Sequence, residues 1–256
     1  MEVISLQSGS NGNSFYVKAG DVHLLFDAGI PGSVAEKRLA EHGRDIRDVN
    51  ALFISHDHSD HSRCMGIFHR KFGHSVFVTE ETYQAARRSS NLGRIDDLQH
   101  FVAGQTVTLG DVQIHTIPTP HDSADGVVFV IEYEDKRVGI LTDLGHVFAG
   151  LKDVLLSLDA VVIESNYDPE MLENGFYPER LKRRIRGPGG HISNVESANL
   201  LRDSIFFNRL KWACLCHLSE ENNRPEVAIR THERILGSKL PIHVANRHSV
   251  SEILEI

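Results

Sequence analysis

The sequence lacks an apolar run of the roughly 20 residues that a membrane-spanning helix needs. Residues 1–5 show no basic segment followed by a long apolar stretch, so we expect no secretory signal peptide. Cysteine is scarce: Cys64, Cys214 and Cys216 form no even disulfide framework, and the last two are expected to act as small apolar residues on a buried strand. These absences argue against integral membrane and disulfide-stabilised secreted proteins, and the expected location is the cytoplasm.

A cationic surplus is also missing. The 256 residues carry a net charge of −8, which argues against a surface coated for nucleic-acid binding but allows a local basic patch. There is no low-complexity segment, obvious repeat or long linker, so we expect a single domain over residues 1–256. Histidine is abundant instead: 16 residues are typical of a metalloprotein, because imidazole is the commonest transition-metal ligand.

Short apolar runs bounded by polar turns predict strands along most of the chain. They cover residues 3–6, 15–18, 23–27, 51–55, 75–79, 105–109, 112–117, 127–133, 137–141, 160–164, 212–216 and 242–245. The first half is strand-rich and each half ends in helices. This order favours an α/β (α+β) class in which two mixed sheets pack together with helices outside.

Capping residues mark the predicted helices. The pairs with capping-box spacing are Ser33 with Glu36 and Ser193 with Glu196. The first pair predicts a helix that stops at Gly43, and the second predicts a helix through about Phe206. A further helix is predicted over residues 226–236, with Pro225 near its first turn and Gly237 after its end.

The densest ligand chemistry lies in His56-Asp57-His58-Ser59-Asp60-His61, directly after the apolar run 51–54. So many imidazoles and carboxylates in one turn are hard to explain by folding alone. In an extended turn His56 and His58 point the same way, so both can bind one metal. Asp60 and His61 lie beyond the bend and can bind a second metal. The cluster therefore predicts half of a two-metal site, and such sites hydrolyse esters, amides and phosphodiesters.

The other ligands are expected at further strand ends, where a rigid sheet fixes the side chains and loops leave room for substrate. His121, Asp143 and His217 each follow an apolar run and begin a polar loop. The two histidines would complete the metal sites, and Asp143 would bridge them. Asp27 also ends a strand; an Asp before Ala-Gly is often only a turn former, but we favour a role in orienting a ligand histidine. Mixed nitrogen and oxygen donors favour two divalent transition metals, Zn²⁺, Mn²⁺ or Fe, over calcium or magnesium.

The motif His56-x-His58-x-Asp60-His61, with Asp27 upstream and His121, Asp143 and His217 downstream, resembles the metallo-β-lactamase fold superfamily. The resemblance implies a four-layer αββα sandwich with a dinuclear site at one edge of the sheets. Narrower motifs resemble its YycJ/WalJ-like branch, which is regarded as phosphodiesterase-like, is linked to exonuclease action on DNA, and is related to tRNase Z and the phosphodiesterase PhnP. These motifs are Ser8-Gly9-Ser10-Asn11-Gly12-Asn13, Glu164-Ser165-Asn166-Tyr167-Asp168, Gly190-His191-Ile192-Ser193-Asn194 and His217-Leu218-Ser219-Glu220-Glu221-Asn222-Asn223.

The resemblance also implies a mechanism. Gly190-His191-x-Ser193 is similar to the His-x-Thr/Ser element of tRNase Z, whose histidine contacts the scissile phosphate near the metal-bound aspartate. By that similarity, Asp60 and His191 are the expected catalytic residues and cooperate in proton transfer to the leaving group. The attacking group would be a hydroxide that bridges the two metals. The alternative is a structural histidine ahead of a capping box.

Local charge fits a phosphate substrate. The run 180–186 carries five cations immediately before the segment that leads to His191. The same run is explained by a solvated helix face on which Leu181 and Ile185 pack inward, and both interpretations are compatible. The helix predicted after the glycine-rich segment adds free backbone N–H groups for an anion. The residues expected to contact phosphate are Arg183, Arg184, Ser193 and Asn194.

The leading interpretation is a dinuclear metal-dependent phosphodiesterase or nuclease with a phosphodiester partner, DNA or RNA, and no membrane partner. A thioester or lactone hydrolase of the glyoxalase II type is an alternative on the same fold, and a metal-bound scaffold without turnover is another. The basic run and His191 favour the first. The sequence leaves open the metals, DNA against RNA, exonuclease against endonuclease, and the oligomeric state.

Overall fold

The computed structural model describes residues 1–205 and 209–256, and over these ranges the chain forms two seven-stranded sheets. The strands are β1 Glu2–Gln7, β2 Ser14–Ala19, β3 Val22–Phe26, β4 Ala51–Phe53, β5 Ser75–Val78, β6 Leu98–His100, β7 Thr106–Leu109, β8 Val112–Pro118, β9 Val127–Tyr133, β10 Lys136–Leu141, β11 Ala160–Glu164, β12 Trp212–Cys216, β13 Ile242–Val244 and β14 Leu254–Glu255. In space the first sheet has the order β14-β1-β2-β3-β4-β5-β6, and the second has the order β13-β12-β11-β10-β9-β8-β7.

Helices connect and cover these strands. They are α1 Gly32–Ala40, α2 Ser59–Ser62, α3 Met65–Phe72, α4 Glu80–Ser89, α5 Leu151–Leu156, α6 Pro169–Asn174, α7 Glu179–Arg186, α8 Asn194–Ile205 and α9 Pro225–Leu236. In the part of the chain that the structure describes, none of them is both long and apolar enough to cross a membrane.

Three apolar clusters define the layers. The central cluster lies between the sheets and includes the fully buried rings of Phe15, Phe26, Phe53 and Phe129. A second cluster joins the outer face of the first sheet to α1, α3 and α4, and a third joins the outer face of the second sheet to α5, α8 and α9. Because each sheet buries both faces, its inner strands read as continuous apolar runs. The layers confirm the expected αββα sandwich.

Strand direction brings the polar strand ends together. β3 pairs parallel with β4, and β10, β11 and β12 pair parallel with one another. β8 is antiparallel to β9, which is antiparallel to β10, so β8 runs in the same direction as β10. The carboxyl ends of β8, β10, β11 and β12 therefore lie at one edge of the second sheet, and the same holds for β3 and β4 in the first.

One predicted helix start is wrong. α1 begins at Gly32 after Pro31, and no side chain caps it, because the extended Pro31 is the N-cap and Ser33 falls inside the first turn. Glu36 instead lies 2.6 Å from Lys71 Nζ and 3.0 Å from an Arg47 guanidinium nitrogen. The predicted stop is close, since α1 ends at Ala40 and Gly43 takes up a left-handed φ of 66°.

The second capping box is confirmed. The Glu196 carboxylate accepts the Ser193 N–H at 2.8 Å, and Ser193 Oγ accepts the Glu196 N–H at 3.2 Å. The described part of α8 ends at Ile205, and the predicted end at Phe206 lies outside the described residues.

A buried histidine joins α8 to α9. His232 Nδ1 donates to the carbonyl oxygen of Ala228 at 2.8 Å, and Nε2 lies 3.3 Å from Ser197 Oγ. Burial lowers the pKa of His232 to about 4, from an ordinary value of 6.5. The neutral ring is therefore the form that fits between the helices.

We expect this histidine to make the fold acid-sensitive. Its folded pKa lies below the unfolded value, so the stability present at neutral pH is lost as the pH falls from 6.5 towards 4. The loss should be about 2 to 3 kcal/mol. Urea unfolding at about pH 7 and about pH 4.5 should show a smaller loss in His232→Leu than in the wild type. The exposed His248→Leu is the matched control, and an equal loss in all three proteins would contradict the expectation.

Candidate metal centre

Three residues that follow strands at the polar edge of the two sheets share an uncommon backbone conformation. Asp27, Asp143 and His217 follow β3, β10 and β12, and their φ angles are 64°, 54° and 54°. Residues other than glycine rarely adopt positive φ, because Cβ approaches the neighbouring carbonyl. Each of these residues turns the chain sharply and leaves its side chain at the mouth between the two sheets. The backbone thus brings together side chains far apart in sequence.

One cluster, here called the first donor group, consists of His56, His58 and His121. Each can offer a ring nitrogen, and these nitrogens lie within 4.8 Å of one another. His58 Nε2 lies 3.2 Å from the carbonyl oxygen of Asp122, and His121 Nδ1 lies 2.9 Å from that of Gly190. A carbonyl oxygen only accepts, so both nitrogens donate an N–H. In neutral rings His58 Nδ1 and His121 Nε2 then face each other with lone pairs across 3.2 Å.

A second donor group consists of Asp60, His61 and His217, again with one atom each within 4.8 Å of the others. Asp60 Oδ2 lies 3.5 Å from Nε2 of both histidines. Asp27 holds the His61 ring from behind, with 2.6 Å between Oδ2 and Nδ1, and its other oxygen accepts the Ser55 N–H at 2.8 Å. The expected partner of Asp27 is therefore His61. Because Nδ1 donates its N–H to this carboxylate, Nε2 is the ring nitrogen of His61 that faces Asp60.

Asp143 lies between the two groups. Its carboxylate oxygens are 3.2 Å from His61 Nε2, 3.6 Å from His121 Nε2 and 3.3 Å from His217 Nδ1. It also belongs to a third set of mutually close donors, with His56 and His61. One buried carboxylate thus reaches both donor groups.

Three buried atoms test whether the site fits metal ions. His56 Nε2, Asp143 Oδ2 and His217 Nε2 are shielded from solvent and have no hydrogen-bond partner among the described residues. A buried unpaired polar atom costs about 1–3 kcal/mol, so three in one cluster are unfavourable unless a cation joins them. Imidazole and carboxylate donors facing each other in this way are suited to binding divalent metal ions.

Charge interactions separate the protonation states of the histidines. Burial lowers the pKa of His56 well below its ordinary value, so that ring stays neutral and keeps a lone pair. Burial alone would also lower the pKa of His61, but the carboxylates of Asp143, Asp27 and Asp60 raise it to about 9. Burial would raise the pKa of Asp60, and His61 and His217 lower it instead. The second donor group therefore combines one carboxylate of lowered pKa with two histidines of raised pKa.

Glu164 is a site residue that the sequence reasoning misses. It ends β11 and is fully buried. Oε1 lies 2.7 Å from His191 Nδ1 and 3.2 Å from His217 Nδ1, while Oε2 accepts the N–H groups of Leu144 and Ile192, each at 3.1 Å. Burial raises the pKa of Glu164, but His191 and His217 hold it below its ordinary value. One carboxylate thus orients two histidines, and its place after an apolar run is the signal that could have revealed it.

The glycine-rich turn at the start of the chain braces the other side. Ser8 Oγ accepts the backbone N–H of His217 at 2.8 Å, and Asn13 Nδ2 lies 2.9 Å from His61 Nε2. The Asn13 N–H donates to the Asp60 carbonyl oxygen at 2.8 Å. A Cβ at Gly29 would lie 1.6 Å from that oxygen, so only glycine allows this approach. Ser8 and Asn13 occur in a recognised motif, but their contacts are not predictable from it.

The residues expected to contact phosphate lie in different settings. Arg184 forms a bidentate pair with Asp122, at 2.7 and 3.0 Å, and Asp122 Oδ1 is 3.5 Å from His121 Nε2. Arg183 is exposed. Ser193 is engaged in its capping box with Glu196. The Asn194 side chain is buried, accepting from Ser165 Oγ at 2.6 Å and donating to Asn223 at 3.0 Å, so it points into the protein.

His191 lies at the rim of the cluster. Its ring centroid is 5.1 Å from those of both His121 and His217. The carboxylates nearest its ring in the described chain are Glu164 and Asp143, the latter at 3.6 Å from Nδ1, so it does not contact Asp60 directly. Because Nδ1 lies against Glu164, Nε2 is the ring nitrogen left to face a bound molecule.

The sequence matches one family model and is similar to known proteins. The family model described as "Metallo-beta-lactamase superfamily" matches residues 8–197. "Exodeoxyribonuclease WalJ" of Streptococcus pneumoniae is 39% identical over 228 residues, which cover 88% of this chain and 84% of that protein. "Exodeoxyribonuclease YycJ" of Bacillus anthracis is 34% identical over 236 residues, which cover 91% and 88%.

Solved structures are similar in fold. The metallo-beta-lactamase fold protein YhfI from Bacillus subtilis has a TM-score of 0.74 at 16% identity, over 98% of this chain and 99% of that one. The short form of human tRNase Z has a TM-score of 0.67 at 14% identity, over 100% of both chains. A diphosphatase from the PhnP family has a TM-score of 0.65 at 17% identity, over 100% and 99%. At these identities the likeness concerns the fold alone.

Proposed function

Because this chain belongs to the metallo-beta-lactamase superfamily, whose members here include proteins named as exodeoxyribonucleases, we propose that it is a dinuclear metal-dependent phosphodiesterase that acts on DNA as an exonuclease. The observation that carries the proposal is Asp143, a buried carboxylate that lies within 3.6 Å of histidines from both donor groups. A pair of metal sites joined by one carboxylate is the arrangement that clamps both the attacking and the leaving oxygen of a phosphodiester.

The proposal assigns each donor a place. His56, His58 and His121 would hold one metal, Asp60, His61 and His217 would hold the other, and Asp143 would be shared between the two sites. Zn²⁺, Mn²⁺ and Fe all suit this nitrogen and oxygen set. When bound, such metals activate water and offset negative charge at the attacked phosphorus. Asp27 keeps Nε2 of His61 available as a donor atom, and Glu164 does the same for His217.

His191 is the proposed proton donor to the leaving oxygen. Glu164 holds Nδ1 at 2.7 Å, which fixes the orientation of the ring. The second ring nitrogen can then approach the leaving group at the rim of the cluster. Asp60, the other proposed catalytic residue, would act through the second donor group, in which it lies 3.5 Å from His217.

Substrate charge is met by α7. Arg184, fixed by Asp122, places a cation beside the first donor group, and exposed Arg183 extends it outwards. A phosphate backbone is a polyanion that can lie along these two cations. Ser193 and Asn194 contribute through the N-terminus of α8 and not through their side chains, which have other partners.

The proposal is tested by metal analysis and parallel hydrolysis assays. We expect about two transition-metal ions per chain, release of nucleotides from the end of labelled DNA with added manganese or zinc, and loss of both after chelation and dialysis. Single-stranded DNA, double-stranded DNA, RNA and a thioester are compared at equal concentration. Faster hydrolysis of the thioester than of any phosphodiester would overturn the proposal, as would metal binding without turnover on any of these substrates.

A further inference from the structure

One aromatic side chain lies entirely in solvent. Phe176, in the loop between α6 and α7, has a fractional exposure of 102%. Leaving a phenylalanine in water forgoes the stabilisation that its burial would give. The other exposed large apolar residues of the described chain, Ile67, Val102 and Val147, lie on different elements. Phe176 is therefore a single aromatic ring, not part of a broad apolar patch.

The loop that carries Phe176 is held firmly. The neighbouring Tyr177 packs on an apolar cluster with Tyr167, Leu172 and Ile185. Lys182 Nζ donates to the Glu173 carbonyl oxygen at 2.5 Å, and Arg186 pairs with the Glu173 carboxylate at 2.6 Å. These contacts fix both ends of the loop. They keep Tyr177 partly buried and leave Phe176 exposed.

A row of cations leads from this ring towards the donor groups. Arg180, Arg183 and Arg184 have i, i+3 and i+4 spacing on α7, so they share its exposed face. Arg184 pairs with Asp122 beside His121, whereas Arg180 and Arg183 form no ion pair with any residue in the described ranges. An eight-residue helix spans about 12 Å. The row of cations along α7 thus covers about the rise of three to four stacked nucleotides.

We propose that Phe176 is a stacking platform for an unpaired nucleobase of the strand whose phosphates lie along Arg180 and Arg183. This inference rests on the proposed nuclease function and adds that the enzyme contacts the base of an unpaired nucleotide a few positions from the scissile phosphate. Aromatic rings beside a cationic groove hold single strands without sequence preference, because every base has a flat face. A protein partner would need a wider apolar patch than one ring among charged residues.

The first test uses fluorescence. The chain has one tryptophan, Trp212, which is 5% exposed, so Phe176→Trp adds a solvent-exposed reporter. The metal-free variant, in chelator, is titrated with a short single-stranded oligothymidylate and with an abasic oligomer of the same length. We expect quenching of the introduced indole by the first and none by the second. Equal quenching by both oligomers, or none by either, would overturn the inference. A concentration-dependent emission shift without oligomer would do the same, since it would indicate a second copy of the chain on this ring.

The second test measures affinity by anisotropy under the same metal-free conditions. Phe176→Ala should weaken binding of the oligothymidylate roughly 5- to 150-fold, Phe176→Tyr should retain it, and Val102→Ala is the matched control on another exposed apolar residue. Unchanged affinity in Phe176→Ala would sink the stacking role. This test involves no metal and no turnover, so that result would not contradict the hydrolysis assays. Failure of the hydrolysis assays would overturn the proposed function whether or not Phe176 stacks on a base.

Discussion

Asp143→Asn should lower turnover on a phosphodiester by on the order of 10³-fold. The asparagine keeps the shape of the side chain but removes the charge that lies within 3.6 Å of His61, His121 and His217. In the proposed centre the two metals would lose their shared carboxylate, and several kcal/mol of charge stabilisation in the transition state would be lost. Turnover at saturating metal and metal content per chain are the measurements, and we expect the bound metal to fall below the wild-type amount.

A fold defect must be separated from this effect. Circular dichroism and urea unfolding should show a folded Asp143→Asn protein. Asp153→Asn, an exposed aspartate in the first turn of α5, is the matched control and should retain wild-type turnover. If Asp143→Asn kept full metal content and full turnover, the bridging role would be excluded.

Glu164→Gln is expected to weaken metal binding and turnover by about 10- to 100-fold with little change in stability. The amide oxygen can still accept from the N–H groups of Leu144 and Ile192. The amide nitrogen, however, must donate to Nδ1 of His191 and His217, which forces the proton of each ring onto Nε2. An Nε2 that carries a proton cannot bind a metal, so His217 is lost as a donor although every contact is retained.

Two further variants distinguish a positioning role of Glu164 from a purely structural one. Glu164→Leu leaves two buried backbone N–H groups without acceptors, so the free energy of unfolding should fall by about 2–6 kcal/mol. Glu132→Gln alters a similar pair, in which the carboxylate lies 3.1 Å from His115 Nε2, away from the donor groups, and should leave metal affinity unchanged. Equal metal affinity in wild type and Glu164→Gln would show that the Glu164 carboxylate does not position the histidines for metal binding.

Much of the fold is predictable because its signals are local. The strands of both sheets are short apolar runs ended by polar residues, and the box at Ser193 and Glu196 is set by contacts three residues apart. α4 is harder to predict, since only Thr82, Tyr83 and Ala86 are buried on an otherwise polar helix. The start of α1 differs from the prediction because Pro31 fixes it, and the spacing of Ser33 and Glu36 carries no information about that.

The candidate site likewise has residues that are predictable from the sequence and residues that are not. Asp27, Asp143 and His217 are recognisable in sequence because each ends an apolar run. Glu164 ends one too, but its role depends on histidines 27 and 53 residues away, which only the folded chain brings near. The burial of the Asn194 side chain is likewise set by contacts with residues 29 positions distant in both directions.

The left-handed backbone at Asp27, Asp143 and His217 also bears on how this protein could be changed. Each such residue is less stable there than glycine by about 1 kcal/mol. A laboratory selection for heat resistance alone would therefore recover glycine at these strand ends and discard the side chains that meet between the sheets. Engineers seeking a more stable variant should exclude these positions from random libraries, because the side chain that strains the backbone at each position is also the one that lies in the candidate site.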